Sequence, residues 1–519
     1  MESYKPHKWL VAVTVMTGTL MAALDTSIVN VALPHMSGTF GASIEEITWV
    51  STGYMLSQVI IMPIIALLSS RFGRKRFYIF SVALFTCFSM LCGVAWDLSS
   101  MVIFRIVQGF GGGTLIPLSQ AILRETFPKE EQATAMSLYG LGVILGPAFG
   151  PTLGGWLTDN YSWPWIFYIN VPVGIINILL IMRFIDDPPY LVREKGKLDF
   201  TGLFLMSVGI GALQIMLEKG EQKDWFASNM IKYLAVAAFI GIVLFTIREL
   251  TTDRPAVNLR ILKDINFSLG SCLGGVLGMG LFSSIFILPL FLQQLLGYPA
   301  YDSGLALIPR SIAMAIAMPI GGKTYNKAGP QALIALGLFV NAVSFYLLSR
   351  LSLTVGYWDI FFPQFLQGLG FGFIFVSLST AVLSTIEKSL LTAASGLYNV
   401  IRQIFGSVGI ALAATFLTRG ENLYRALLVE HVTIFRDVVP ESLHRLLSLL
   451  SSQGANVSGT DLEALKFLER MVMKQASMLA YNHVFFLIAA LFLLSVPLAF
   501  LVRDPQRGKG AEVMREEYD

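Results

Sequence analysis

The sequence predicts an all-α polytopic membrane protein with fourteen spanning helices, and three observations carry that prediction. Hydrophobic residues make up 55% of the 519 and charged residues only 14%, where a soluble domain carries about 25% charged residues. Apolar runs near the roughly 20 residues that cross a bilayer recur along almost the whole chain, and mean hydropathy is +0.66. Two short stretches of the first half also reappear in the second. So little polar surface cannot coat a water-soluble globule, which excludes a soluble enzyme, a nucleic-acid binder and a disordered scaffold. A net charge of +3 is too small to imply a polyanionic partner. Cys87, Cys92 and Cys272 lie in apolar runs, with neither disulfide-framework nor metal-ligand spacing.

Span 1, 9–33, starts after eight residues, and no small-residue cleavage site precedes a polar mature sequence. It reads as a retained helix rather than a removed signal peptide. Spans 2 (47–68) and 3 (77–96) flank the densest basic cluster, Arg71, Arg74, Lys75 and Arg76. Spans 4 (99–122), 5 (134–157) and 6 (164–184) complete a first group. Spans 7 (199–217) and 8 (229–248) stand apart. Spans 9 (267–293), 10 (303–323), 11 (330–349), 12 (357–385), 13 (392–417) and 14 (478–502) follow. Barrel strands would be alternating segments of about ten residues, which these continuous runs are not. With the N-terminus inside, roughly 23 Lys and Arg fall on cytoplasmic segments and roughly 3 in the short outer loops. That bias predicts N-in and C-in. Segment 418–477 then lies outside. Leu443, Leu446, Leu447 and Leu450 share one helical face, and Thr460 with Glu463 forms a capping box before 461–477, so a small helical cap is expected.

Met62-Pro63-Ile64, Arg71 and Gly73 match Met318-Pro319-Ile320, Lys327 and Gly329 at an offset of 256. Gln108-Gly109 and Gly111 match Gln367-Gly368 and Gly370 at an offset of 259. Both matches shift the chain by eight spans. The expected plan is 6+2+6: a six-helix bundle over 1–185, two inserted helices within 186–262, and a second bundle over 263–519. Parallel repeats of this kind suit a transporter that rocks one half against the other around a midplane site.

Charged groups deep in a span are costly and mark candidate functional sites. Asp25 lies about eight residues from the outer end of span 1, and Arg105 about six residues into span 4. At those depths the two can pair or share one aqueous cavity. Burial disfavours a carboxylate's charge and a nearby guanidinium favours it; between those pulls a carboxyl can load and release a proton. A static ion pair orienting two helices is the competing reading. Arg310 and Arg402 are embedded in spans 10 and 13, positioned to receive an anionic substrate, to balance Asp25 or to satisfy backbone carbonyls. Asn30, Gln58, Gln120, Gln214, Gln364 and Asn399, with Asn341 and Gln403, are polar groups at membrane depth, serving as cavity lining or as interhelical hydrogen bonds. In span 5, Gly142, Gly146, Gly150 and Gly154 repeat every four residues as a flat stripe beside Gly155. Pro147 and Pro151 interrupt its backbone donors, so the stripe is either a packing surface or a gate.

Gly322-Lys323-Thr324 resembles the end of a phosphate-binding loop, but Ala317 stands where glycine is needed. The glycines at 109–113 lie within a span, His483 reads as an interfacial anchor, and Asn456-Val457-Ser458 is a weak glycosylation match. Neither metal nor cofactor is expected, and with no nucleotide site any transport would run on an ion gradient.

At this point the sequence resembles the major facilitator superfamily, in particular its fourteen-helix drug:proton antiporters of the EmrB/QacA type. Leu24-Asp25-Thr26-Ser27-Ile28-Val29-Asn30-Val31-Ala32-Leu33-Pro34 looks like the family's span-1 motif, and Arg105-Ile106-Val107-Gln108-Gly109 like its span-4 motif. Gly146-Pro147 with Gly154-Gly155 looks like its antiporter motif. Trp165-Ile166-Phe167-Tyr168-Ile169-Asn170-Val171-Pro172-Val173-Gly174 is typical of the subgroup. The loop after span 2 departs from G-x-L-x-D-R-x-G-R-K: Arg71, Gly73, Arg74 and Lys75 remain, but Ala66 and Ser70 replace Gly and Asp. The resemblance implies the major facilitator fold, with Arg71, Gly73 and Arg74 as gating residues and a charge missing from the outward-open lock. Leu213-Gln214-Ile215-Met216-Leu217, Asp224-Trp225-Phe226 and the long outer loop lie nearest the EmrB branch. That branch implies an inner-membrane location, a periplasmic adaptor of the EmrA type and an outer-membrane channel. The expected activity is proton-coupled multidrug efflux of amphipathic, lipophilic compounds by alternating access, with Asp25 and Arg105 coupling it. A dedicated exporter of one metabolite, siderophore or lipid, and a non-transporting receptor, are the alternatives.

Overall fold

The computed structural model describes residues 8–187, 199–252, 255–432 and 460–503. Among them are fourteen helices long and apolar enough to cross a membrane: α1 Lys8–Phe40, α2 Glu45–Phe72, α3 Arg74–Gly93, α4 Leu98–Thr126, α5 Lys129–Asn160, α6 Trp165–Phe184, α7 Phe200–Lys219, α8 Asn229–Thr251, α9 Ile265–Leu295, α10 Asp302–Ala328, α11 Pro330–Leu348, α12 Tyr357–Ala381, α13 Lys388–Val429 and α14 Leu465–Ala499. No strand occurs among the described residues. In hydrocarbon each backbone N–H and C=O needs a partner within its own segment, which only helices and closed barrels provide.

Polar residues close the helix ends. Asp97 caps α4 by accepting from Ser100 N–H at 2.7 Å. That bond, with the Ser100 hydroxyl, holds the Asp97 carboxyl below the usual range. Asp199 accepts from Gly202 N–H at 3.0 Å at the start of α7 and from Arg248 of α8, also at 3.0 Å. Asp264 caps α9 through Phe267 N–H at 2.7 Å. Gly73 and Gly329, matched by sequence, take φ of 86° and 85° in the turns after α2 and α10. A side chain would be strained at both positions.

Several helices depart from the sequence-based spans. Pro63 breaks α2 into Trp49–Ile61, a 3-10 turn at Met62–Ile64 and Ile65–Phe72. Its counterpart Pro319 stays inside an unbroken helical segment of α10, Ile308–Ala328. Of the helical cap expected over 418–477 the structure describes the flanks: α13 runs on to Val429, and the helix expected over 461–477 begins at Thr460 and continues into α14. Both described flanks are therefore extensions of spanning helices. Arg425 and Glu469 tie them at 2.8 Å, and Tyr424 and His483 lie 3.1 Å apart. Leaving the apolar slab does not end a helix whose polar residues still favour helical backbone. Residues 433–459, with the leucine face and the glycosylation match, lie outside the described residues, as do the capping-box side chains.

Helices α1 to α6 pack chiefly on one another, as do α9 to α14. Helices α7 and α8 pack together where Gly209 meets the backbone of Gly241 and Ile242. Small residues allow that approach without a hydrophobic drive between helices. Along α5, Gly146 lies on the Ala23–Leu24 backbone, Gly150 on Ser27 and Gly154 on Ile28. A side chain at Gly155 would meet only Val31, at ordinary van der Waals distance.

Polar contacts between the two sets run from mid-bundle to the end bearing Gly73 and Gly329. Arg124 donates to the Thr380 carbonyl at 2.8 Å, Arg74 to Thr392 at 3.1 Å, and Asn326 to the Glu130 carbonyl at 2.8 Å. Arg74 also pairs with Glu125. Towards the opposite end α7 occupies the seam between α2 and α13. Thr52 donates to Glu218 at 2.5 Å and Lys219 to Thr48 at 2.6 Å. On the other side Gln214 donates to Ser407 at 2.9 Å and Trp225 to Thr415 at 2.8 Å.

The glycine contacts predict a graded series. Gly146→Ala and Gly150→Ala should each destabilise the purified protein by about 1–3 kcal/mol, the usual cost of overpacking. Gly155→Ala should leave the melting temperature unchanged. Thermal unfolding in detergent reads the difference, and equal melting in all three would show that the stripe does not set the α1–α5 distance.

Candidate functional site

Asp25 sits mid-helix in α1 and Arg105 two turns into α4, 0% and 1% exposed. Their side chains meet at 2.6 Å, from Nη1 of Arg105 to Oδ2 of Asp25. Span depth alone brings the two to one level; the α1–α4 packing supplies the contact. The other carboxylate oxygen accepts from Gln108 Nε2 and Asn170 Nδ2, each at 3.1 Å. Asn170, at the start of the long segment of α6, also donates to Ser89 Oγ at 3.0 Å, and Ser89 donates to the Phe167 carbonyl. Arg105 donates to Gln108 Oε1 at 2.8 Å and to the Val50 carbonyl at 3.2 Å. Its guanidinium lies 4.0 Å from the centre of the Tyr54 ring.

Three donors therefore meet one ionised carboxylate, and the cation keeps two further oxygen acceptors and an aromatic face. Protonating Asp25 removes the acceptor charge that Arg105 faces but leaves the guanidinium those other partners. The cluster can accordingly exist as a tight ion pair or as a neutral acid beside a separately solvated cation. Gln108 and Asn170 stood in the sequence motifs without an assigned role. Gln108 was findable three residues after Arg105, hence on the same face; nothing in the sequence placed Asn170, Ser89 or Tyr54 around Asp25.

A second cluster joins the two helix sets. Gln120 Oε1 accepts from Ser395 Oγ at 2.8 Å and Asn399 Nδ2 at 2.7 Å. Arg402 donates to Asn399 Oδ1 at 2.9 Å, with the Phe375 and Tyr398 rings at 5.4 and 5.9 Å. The Gln120 amide nitrogen and the Tyr139 and Tyr398 hydroxyls are buried without hydrogen-bond partners.

The remaining named residues are scattered. Asn30 is exposed and accepts from Ser51 at 2.9 Å, away from both clusters. Gln58 is buried on α2 against Gly113. Gln214 is used in the α7–α13 contact already described. Arg310 lies in a third cluster with Ser284 and Gln367, and Gln364 is buried one turn away on α12. Arg71, at the end of α2, is exposed, whereas Arg74 is buried and joins the seam. Ser70, in the motif's acidic position, donates to its own helix at the Leu67 carbonyl. Among the described residues no group of three or more His, Cys, Asp or Glu could hold a metal ion.

The family model of the Major Facilitator Superfamily matches residues 15–410. The fatty acid resistance protein FarB of Neisseria gonorrhoeae is 34% identical over 94% of this chain and 95% of its own. The multidrug export protein EmrB of Escherichia coli is 33% identical over 96% and 95%. The colistin resistance protein EmrB of Acinetobacter baumannii is 30% identical over 96% and 97%. A crystal structure of the human organic anion transporter TETRAN superposes with a TM-score of 0.63 over 95% of this chain and all of that one, at 12% identity, a likeness of fold.

The Asp25–Arg105 pair sets a stability test. Removing one partner of a buried ion pair typically costs 3–5 kcal/mol, because the other charge is left uncompensated. Arg105→Met should destabilise the protein by about that amount, and Asp25→Asn with Arg105→Met should recover most of it. Additive losses in the double variant would deny the pairing.

Proposed function

The chain belongs to the Major Facilitator Superfamily, and from that premise we propose that it exports amphipathic, lipophilic compounds in exchange for protons. It is a multi-pass membrane transporter rather than an enzyme. The observation that carries proton coupling is the wholly buried Asp25 with its arginine partner. A proton arriving on Asp25 loosens Arg105; release of that proton re-forms the pair. If the two states differ in how α1 sits against α4 and α5, proton loading biases the rocking of the halves. The glycine stripe of α5, with Pro147 and Pro151, is the surface along which α1 would shift.

The substrate class is supported by the relatives named for multidrug export and for fatty acid resistance, a fatty acid being an amphipathic, lipophilic compound. The inter-set cluster of Gln120, Asn399 and Arg402 offers polar groups beside aromatic faces at mid-bundle, as such substrates require. A dedicated exporter of one lipid-like compound is the second reading, favoured by the fatty acid resistance relative. The 6+2+6 division at 1–185, 186–262 and 263–519 is part of the proposal, supported by the separate packing of the two sets and by the matched Gly73 and Gly329 turns. So are the N-in, C-in orientation, the inner-membrane location, and the EmrA-type adaptor with its outer-membrane channel. The extended ends of α13 and α14 would then stand on the adaptor's side. In that orientation the inter-set contacts through Arg74, Arg124 and Asn326 close the cytoplasmic end, an outward-facing arrangement.

In proteoliposomes with an imposed pH gradient, a lipophilic cation should drive proton movement in the wild type. Asp25→Asn should abolish it while substrate binding stays within a few-fold. Wild-type coupled flux in Asp25→Asn would remove Asp25 from the mechanism. Topology is read separately in a background lacking Cys87, Cys92 and Cys272. His35→Cys should label from outside intact cells, and Lys388→Cys only after permeabilisation; the opposite pattern inverts the orientation.

A further inference from the structure

The two matched repeats differ at their buried charges. In the first, Gln108 of α4 meets Asp25 of α1, and Gly109 packs against the Tyr54 carbonyl of α2. In the second, the matched Gln367 of α12 meets Ser284 of α9 at 2.9 Å, and the matched Gly368 packs against the Arg310 carbonyl of α10. A cation thus occupies the place of Tyr54, and Gln364 falls at the place of Arg105 by the 259-residue offset. The second repeat keeps an arginine but has a hydroxyl where the first has a carboxylate.

Arg310 is 5% exposed, and its hydrogen-bond partners are neutral: Ser284 Oγ at 3.2 Å and Gln367 Oε1 at 3.4 Å. No ion pair among the described residues includes it. Beside it Gln367 Nε2 is buried without a partner, and Gln364, 0% exposed, has neither amide atom bonded. A buried charge is retained at reasonable cost only when paired, and unpartnered amide donors next to it are suited to the same ligand. We propose that Arg310, Ser284, Gln364 and Gln367 form a binding site for a monoanion, either the carboxylate of an amphipathic acid or an inorganic anion. The anion supplies the negative charge that Asp25 supplies in the first repeat. Only the carboxylate source rests on the export reading; the site itself does not.

The test uses purified protein in chloride-free Tris sulfate buffer, which holds no monoanion, titrated calorimetrically with sodium decanoate, sodium chloride or uncharged methyl decanoate. Wild type should bind decanoate or chloride, with methyl decanoate at least tenfold weaker than decanoate. Arg310→Gln should lose at least tenfold in anion affinity, and Arg310→Lys should keep it within a few-fold. Without anion, Arg310→Gln should melt no lower than wild type, since it removes an uncompensated charge and keeps polar contacts to Ser284 and Gln367. Gln364→Leu is the second variant and should weaken binding several-fold. Decanoate binding lost in Arg310→Gln assigns the site to a substrate carboxylate, and chloride binding alone, likewise lost, assigns it to an inorganic anion. Anion affinity unchanged in both Arg310→Gln and Gln364→Leu, or no anion bound by wild type, overturns the proposal. Export is scored separately as lipophilic-cation flux in liposomes, so a failed transport reading leaves the binding result standing.

Discussion

A charge buried among apolar helices is costly unless it is paired, and the pairing of Asp25 with Arg105 organises the first six helices. Coulomb attraction across 2.6 Å in a dry interior is large, but so is the cost of stripping water from both ions. The pair therefore tells little about net stability and much about geometry. To satisfy both oxygens of Asp25, α4 supplies Arg105 and Gln108 from one face, and α6 supplies Asn170. The Tyr54 ring and Val50 carbonyl of α2 complete the arginine's surroundings. Four helices thus converge on one carboxylate, while the glycines of α5 hold α1 in register from its other side. Any movement of α1 has to renegotiate that set of contacts together.

The distribution of polar seams sets where movement is permitted. At the end bearing Gly73 and Gly329 the two helix sets are joined by hydrogen bonds from one set's arginines to the other's backbone and hydroxyls. Such contacts have little net strength singly, so a modest bias elsewhere can exchange them. Arg74 is central because Glu125 orients it from its own set while Thr392 receives it from the other. The acidic residue that the superfamily loop motif carries at position 70 is a serine turned back on its own helix. Glu125, 51 residues beyond Arg74 in the chain, supplies a carboxylate to that neighbourhood.

Much of this was legible in the sequence, because in a membrane hydropathy and helix length are almost the same observation. All fourteen spans, the Asp25–Arg105 depth match and the glycine stripe follow from periodicity and residue cost. Helix ends were not legible: α13 and α14 continue well past their apolar windows, because a helix ends where capping or packing ends it. Side-chain direction was also beyond sequence. Depth alone left Asn30 and Gln214 between cavity lining and interhelical bonding; Asn30 is exposed and bonded to Ser51, and Gln214 makes an interhelical bond to Ser407. Asn170 was invisible as an Asp25 partner, since its 145-residue separation carries no periodic signal.

The proposed 6+2+6 plan raises the question of how two extra helices join a bundle without disturbing it. Each helix satisfies its own backbone, so insertion adds no unmet hydrogen bonds, and α8, with only 22% of its apolar window buried, faces mostly outward. Helix α7 behaves otherwise. Its last two turns bond to α2 through Glu218 and Lys219 and to α13 through Gln214, while Trp225 just beyond reaches Thr415. A helix tied to both sets at one end of the molecule cannot follow both when they rotate apart. Either its contacts to one set break in each cycle, or it tilts about the Gly209–Gly241 crossing, where glycines leave the pair room to pivot on α8. In the proposed rocking motion α7 would be coupled to both sets through the polar side chains at its C-terminal end, and the glycine crossing is the place where that coupling would be absorbed.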